Sequence, residues 1–211
     1  AAISTVVCLV AAYPFAYYVS RKSYSKQKMI IMLIMLPMWM NFLLRTHALS
    51  ALIEDNGVIN TFLMKLGLEP LTMINTEGAV IFGMVYNYLP YMILPIYTVM
   101  QKIDISLLEA AEDLGSNTIS KLRRVILPLS MPGVISGITM VFVPSVSTFY
   151  ISQKLGGNKT MLIGDTIEYF YNLGPDYYNV ASAISLVLMV LILISLAVMN
   201  RFSDDEGGVI I

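Results

Sequence analysis

The 211-residue sequence has one cysteine, Cys8, and one histidine, His47. No disulfide framework or cysteine-based metal site can form, and most metal and triad chemistry lacks its parts. Charge is scarce as well. Asp, Glu, Lys and Arg make up 13% of the residues, where a soluble domain carries about a quarter. Thirteen bases stand against fourteen acids, so there is no basic field to attract nucleic acid. No Gly-x-Ser-x-Gly elbow is present, and the nearest thing to a phosphate loop, "GGNKT" at 156–160, lacks the glycine before its lysine. Enzyme chemistry, a metal and a cofactor of its own are not expected of this chain.

What it has in quantity is apolar surface: 57% of residues are hydrophobic and the mean hydropathy is +0.72. Five segments, about 1–20, 28–46, 77–100, 130–150 and 180–200, supply the roughly 20 apolar residues that cross a bilayer. Each must be helical, because lipid offers the backbone no hydrogen bonds. The expected fold class is all-α, a polytopic membrane helix bundle, with residues 1–211 forming a single transmembrane domain. Residue 1 is not methionine, and Arg21 and Lys22 follow the first apolar run instead of preceding it. That order is not a signal peptide's, and one further upstream helix is expected.

Charge in the connections orients the spans. "RKSYSKQK" carries Arg21, Lys22, Lys26 and Lys28 with no acid, which places it in the cytoplasm. Alternation then puts 47–76 and 151–179 outside, and 101–129 and the C-terminal tail inside. Residues 48–68 read as one or two short helices at the outer interface. The aromatic run 169–178, "YFYNLGPDYY", reads either as an interfacial belt or as a solute-facing surface.

The longest inner connection holds the largest charge cluster, "EAAEDLGSNTISKLRRVILP" at 109–128. Ser106 and Glu109 form a capping box that predicts a helix from Leu107, with Leu107, Leu108, Ala111 and Leu114 as its apolar stripe. Gly115 suits a helix C-terminus that needs positive φ. Ser116 or Asn117 is expected to cap a second helix, with Lys121, Arg123 and Arg124 toward its C-terminal end and Leu127-Pro128 closing it. About 25 residues exceed what a passive link needs, so this helix–turn–helix is read as a docking surface for a cytoplasmic partner.

Polar groups inside spans mark either a pathway or hydrogen bonds between helices. Asn87, Tyr91 and Thr98 recur at helical spacing in the third span, with Tyr86 and Glu77 nearby, and Trp39, Asn41 and Arg45 lie near the outer end of the second. Pro14, Pro37, Pro90, Pro95 and Pro144 are bend points or static kinks. A secondary transporter would need intramembrane acids or an inverted repeat, and neither is clear.

Glu109-Ala110-Ala111, three residues, Gly115, nine residues, Val125, one residue, then Leu127-Pro128 resembles the signature of permease subunits of bacterial ABC importers, although isoleucine is usual where Val125 stands. "AAYPFAYYVSRK", "LPMWMNFLLR" and "LPLSMPGVISG" extend the likeness over the chain, toward the spermidine/putrescine (polyamine) permeases. The resemblance implies the type I (MetI-like) importer permease fold in the bacterial cytoplasmic membrane, normally with six transmembrane helices. It implies three partners: a cytoplasmic ATP-binding subunit that uses ATP-Mg, a second permease subunit and an extracytoplasmic solute-binding protein. Glu109, Ala110, Ala111, Gly115, Leu127 and Pro128 would belong to the coupling insert, 101–129. A polycation's path would use the acids Glu77, Asp165 and Glu168 and the aromatics Trp39 and Tyr169, beside Asn41, Tyr86, Asn87 and Tyr91. Iron(III), a sulfur oxyanion or an amino acid are the alternative solutes; an anion would want cations in the spans, and Arg45 is the only candidate.

Overall fold

The computed structural model describes residues 1–157 and 161–207. Residues 158–160 of the GGNKT stretch and 208–211 of the expected tail lie outside the described residues. Every regular element among the described residues is helical.

Three long helices form the centre: α1 (Ala2–Ser20), α5 (Glu77–Met100) and α8 (Leu127–Ser147). Small residues let them approach closely. Cys8, Ala12 and Ala16 of α1 are fully buried, and a methyl group added at Gly133 of α8 would lie 2.8 Å from the Pro95 carbonyl oxygen of α5. Lipid gives helices no hydrophobic reason to associate, so backbone proximity and interhelical hydrogen bonds must hold them. The Tyr13 and Ser130 hydroxyls, 2.9 Å apart, supply one such bond between α1 and α8. At about 1.5 Å per residue, α5 is roughly 36 Å long, enough to cross the hydrocarbon core.

Four helices are long and apolar enough to span a membrane: Ala2–Ser20, Glu77–Met100, Thr118–Ser147 and Pro175–Met199. The expected continuous span at 28–46 is instead broken. After α2 (Tyr24–Met35) comes a 3-10 turn, Leu36–Trp39, and then α3 (Phe42–Ile53), with a bend of 94° between the two halves. Pro37 has no N–H with which to continue the α ladder. Asn41 restarts it at a new angle, its side chain accepting from Leu43 N at 2.8 Å. Counting the bent pair as one crossing gives five. One short helix, α4 (Val58–Lys65), follows α3 as expected.

The connection from α5 to α8 folds as α6 (Ile105–Asp113) and α7 (Thr118–Lys121). At the opposite end of the bundle, beyond the C-terminus of α8, lie α9 (Tyr150–Gly156) and α10 (Ile163–Asn172). The last helix, α11 (Tyr178–Gly207), packs against α8 and α10. Stacking of Tyr171 on Tyr178, centroids 4.8 Å apart, and of Phe170 near Tyr177, 6.2 Å, closes the turn into α11. Of the aromatic run 169–178, Phe170, Tyr171, Tyr177 and Tyr178 make these ring contacts, while Tyr169, Tyr171, Tyr177 and Tyr178 stay exposed.

Candidate functional site

The 101–126 insert departs from expectation at both ends. Asp104, not Ser106, caps α6: its carboxylate accepts from Ser106 N at 3.0 Å, and this bond holds the carboxyl below its ordinary pKa. The donor lies two positions after the cap, so the aspartate satisfies a free N–H of the first turn without the serine–glutamate box. At the other end Leu127-Pro128 does not stop the second helix. A π-helical turn, Leu122–Ile126, runs straight from α7 into α8, and one 30-residue helix, Thr118–Ser147, results. The wide turn lets the backbone accommodate a proline that has no N–H to give. Lys121, Arg123 and Arg124 therefore lie in the first two turns of a continuous helix and not at a C-terminal end.

Between the two helices the expected turn is present. Gly115 has φ +77°, and Ser116 N donates back to the Ala111 carbonyl at 3.0 Å, a left-handed C-terminal closure that glycine permits. Asn117 caps α7, accepting from Ser120 N at 2.8 Å, and Lys121 pairs with Glu112 across the turn. The apolar stripe, however, is not folded inward. Only Leu108 is buried, whereas Leu114 is 87% and Ile119 75% exposed, and Ile105 and Leu107 also face out. Ala110 is exposed and Ala111 half-buried. The insert thus presents small and branched apolar side chains on a surface the chain itself leaves open.

In the middle of the bundle the broken span is fastened to α5. Arg45 is 5% exposed and donates through Nε to Asn87 Oδ1 at 2.7 Å and through Nη1 to the Pro37 carbonyl at 3.2 Å. Asn87 in turn donates to Thr46 Oγ1 at 3.2 Å and to the Gly83 carbonyl at 2.9 Å. Asn87 thus hydrogen-bonds between helices, and Asn41 acts as a cap. Tyr91 and Thr98 do not share the buried face of Asn87; both are exposed. Tyr91 borders a cavity of about 360 Å³ with Arg45 and Tyr88. Trp39, Glu77 and Tyr86 are each exposed.

Asp165, Glu168 and Tyr169, by contrast, come together. They line a pocket of about 440 Å³ at the end opposite the insert, with Ser152, Gln153 and Asn172. Asp165 and Glu168 are three apart on α10 and so share a face. Asp165 is 6% exposed; its Oδ2 accepts from Leu162 N at 2.7 Å, and its Oδ1 is buried with no hydrogen-bond donor among the described residues. Glu168 accepts from the Gln153 amide of α9. Sequence reasoning missed Ser152, Gln153 and Asn172. They are polar residues in a polar segment, and only the packing of α9 against α10 selects them.

Comparisons with known proteins agree with this architecture. The profile of the family described as "Binding-protein-dependent transport system inner membrane component" matches residues 9–205. The spermidine/putrescine transport system permease protein PotB of Haemophilus influenzae is 40% identical over 201 residues, covering 94% of this chain and 70% of that protein. PotB of Escherichia coli is 37% identical over 193 residues, 90% of this chain and 70% of that protein. The inner membrane ABC transporter permease protein YdcU of Escherichia coli is 32% identical over 217 residues, 96% of this chain and 69% of that protein. Among solved structures, a bacterial ABC transporter involved in the import of the acidic polysaccharide alginate superposes with TM-score 0.72 at 15% identity, over 96% of this chain and 76% of the other. That likeness concerns the fold alone. The chain belongs to the family of inner membrane components of binding-protein-dependent transport systems, as a multi-pass permease subunit of an ATP-driven importer.

Proposed function

We propose that this permease moves a polyamine of the spermidine/putrescine kind into the bacterial cytoplasm, driven by a separate ATPase that docks on the 101–126 insert. A second permease subunit completes the pathway and an extracytoplasmic binding protein delivers the solute. The insert and C-terminal tail face the cytoplasm, in keeping with Arg21, Lys22, Lys26 and Lys28 on the same side. The observation that carries the coupling assignment is the exposed face of α6 and α7: Ala110, Leu114 and Ile119 are open, and Gly115 holds the two helices at the angle that presents them. Two PotB relatives at 37% and 40% identity support the choice of solute. Arg45, the cation an anion path would have needed, is engaged by Asn87 and the Pro37 carbonyl.

In the cycle, closure of the ATPase pushes the insert. Because α7 continues without a stop into α8, that push passes directly into a membrane helix, whose tilt exposes the pathway to alternate sides. Uptake of labelled spermidine by proteoliposomes holding the assembled transporter, with and without ATP, tests this reading. Ala110→Asp should leave assembly in the membrane unchanged, cut ATP-driven uptake at least tenfold and weaken ATPase retention on copurification. ATP-independent, proton-driven uptake by the unaltered protein would sink the proposal.

A further inference from the structure

The pocket between α9 and α10 has a feature that neither helix packing nor interfacial anchoring explains. Asp165 is buried, and one of its oxygens finds no donor among the described residues. Leaving a buried carboxylate oxygen unmade is costly, and the neighbouring Glu168 adds a second negative charge on the same helix face. Among the described residues no lysine or arginine lines the pocket, and the one ion pair there, Lys121–Glu112, is at the other end of the bundle. A cation is the missing partner.

Its chemistry is constrained. A hard metal ion wants six or more oxygens, and no group of three or more acids, histidines or cysteines occurs among the described residues. An ammonium group needs less: it has three N–H donors to distribute. Asp165, Glu168 and Asn172 line the same space, and the exposed ring of Tyr169, also in the lining, suits a cation over an aromatic face. At about 440 Å³ the pocket also has room for the methylene chain that follows.

We infer that Asp165 and Glu168 form an alkylammonium subsite at the outer end of the permease, which receives one terminal amino group of the transported solute. The inference rests on the polyamine reading above and deepens it, giving the permease its own recognition step beyond that of the binding protein. The membrane side reached from the binding protein is the side on which this pocket lies.

Two isosteric substitutions test it in the assembled transporter. Asp165→Asn keeps an oxygen to accept from Leu162 N, and Glu168→Gln keeps a partner for Gln153, so each removes charge while leaving the local hydrogen bonds available. Asp165→Asn should raise the KM for spermidine uptake about tenfold or more, the scale of a lost charge-assisted hydrogen bond. Glu168→Gln should act in the same direction. Asp176→Asn, an exposed acid at the same end but outside the pocket, should leave KM unchanged and so controls for general surface potential. Equilibrium dialysis of labelled spermidine against the permease–ATPase complex in nanodiscs, without the binding protein, should show occupancy that Asp165→Asn abolishes. Wild-type uptake with both variants unchanged overturns the subsite alone, whereas no polyamine uptake by the wild type overturns the parent reading. If Asp165→Asn leaves spermidine occupancy intact but weakens capture of the solute-free binding protein, the ammonium is a lysine of that protein and the solute assignment falls. Binding of Ca²⁺ in place of spermidine overturns it as well.

Discussion

Arg45 illustrates what a single charge must find once it leaves water. A guanidinium at 5% exposure within a membrane bundle is stable only if its donors are satisfied. Asn87 and the Pro37 carbonyl satisfy two of them from different segments of chain. Replacing Asn87 by leucine should therefore destabilise the protein by about 1.5–3 kcal/mol, the value of a hydrogen bond to a charged group, seen as a lower unfolding temperature in detergent. Adding Arg45→Leu to that variant should recover part of the loss, because removing both partners costs less than orphaning one. The polarity of Asn87 was legible in the sequence, as a lone amide in an apolar run. Its partner was not, because Arg45 lies 42 residues away and no local spacing links the two. The same holds for Asp165. Its acidity is evident from the chain, but its burial depends on how α10 packs against other helices.

At the scale of elements, hydrophobic length located the helices well, and prolines decided their details in ways that composition alone does not. Pro37 breaks its span, yet Pro90 and Pro95 lie inside α5 and Pro132 and Pro144 inside α8 without ending them. The difference is in the neighbours. After Pro37, Asn41 is available to start a new helix and Arg45 holds that helix to α5. Within α5 and α8 the chain stays helical past each proline, held by packing against neighbouring helices. Pro128 follows the second rule, its turn widened into a π form, so the expected stop became a continuous lever. The contact that would carry this lever's motion is the glycine seam of α8 on α5. Gly133 lies where an added carbon would be 2.8 Å from the Pro95 carbonyl oxygen and 3.1 Å from Ile96 Cα, both backbone atoms that cannot rotate away. Gly133→Leu should force the two helices apart, reducing the yield of folded protein on size-exclusion chromatography. A serine at position 133 should do less harm than leucine, in proportion to its size.

For the molecule as a whole, exposed apolar surface is the rule and not the exception. Almost none of the Pro175–Met199 span is buried within this chain, and Leu186, Val187, Leu191 and Ile194 of α11 all face outward. In water such a face would drive association; against lipid or another permease subunit it is ordinary. The proposed sidedness can be checked on this surface. Cys8 is fully buried, so cysteines introduced singly at Leu114 and Tyr171 would be the reactive thiols. A membrane-impermeant maleimide should label the Tyr171→Cys protein in cells whose outer layers are opened and the Leu114→Cys protein only after the inner membrane is permeabilised. Labelling in the reverse pattern would invert the orientation, and with it the assignment of the insert to the ATPase.

The sequence by itself determined that this is a helical membrane protein, where most of its long helices run, and which family it resembles. Those properties are local: apolar length sets a span, flanking lysine and arginine set its direction, and a fixed spacing around Gly115 sets a turn. Only the tertiary structure decided that the second span is bent by 94°, that Asn87 ties helices together, and that Asp165, Glu168 and Tyr169 share a pocket with residues of another helix. Each of these depends on which side chains meet across distant parts of the chain. That meeting is governed by close packing and by the need of buried polar groups for partners, neither of which a run of neighbouring residues records.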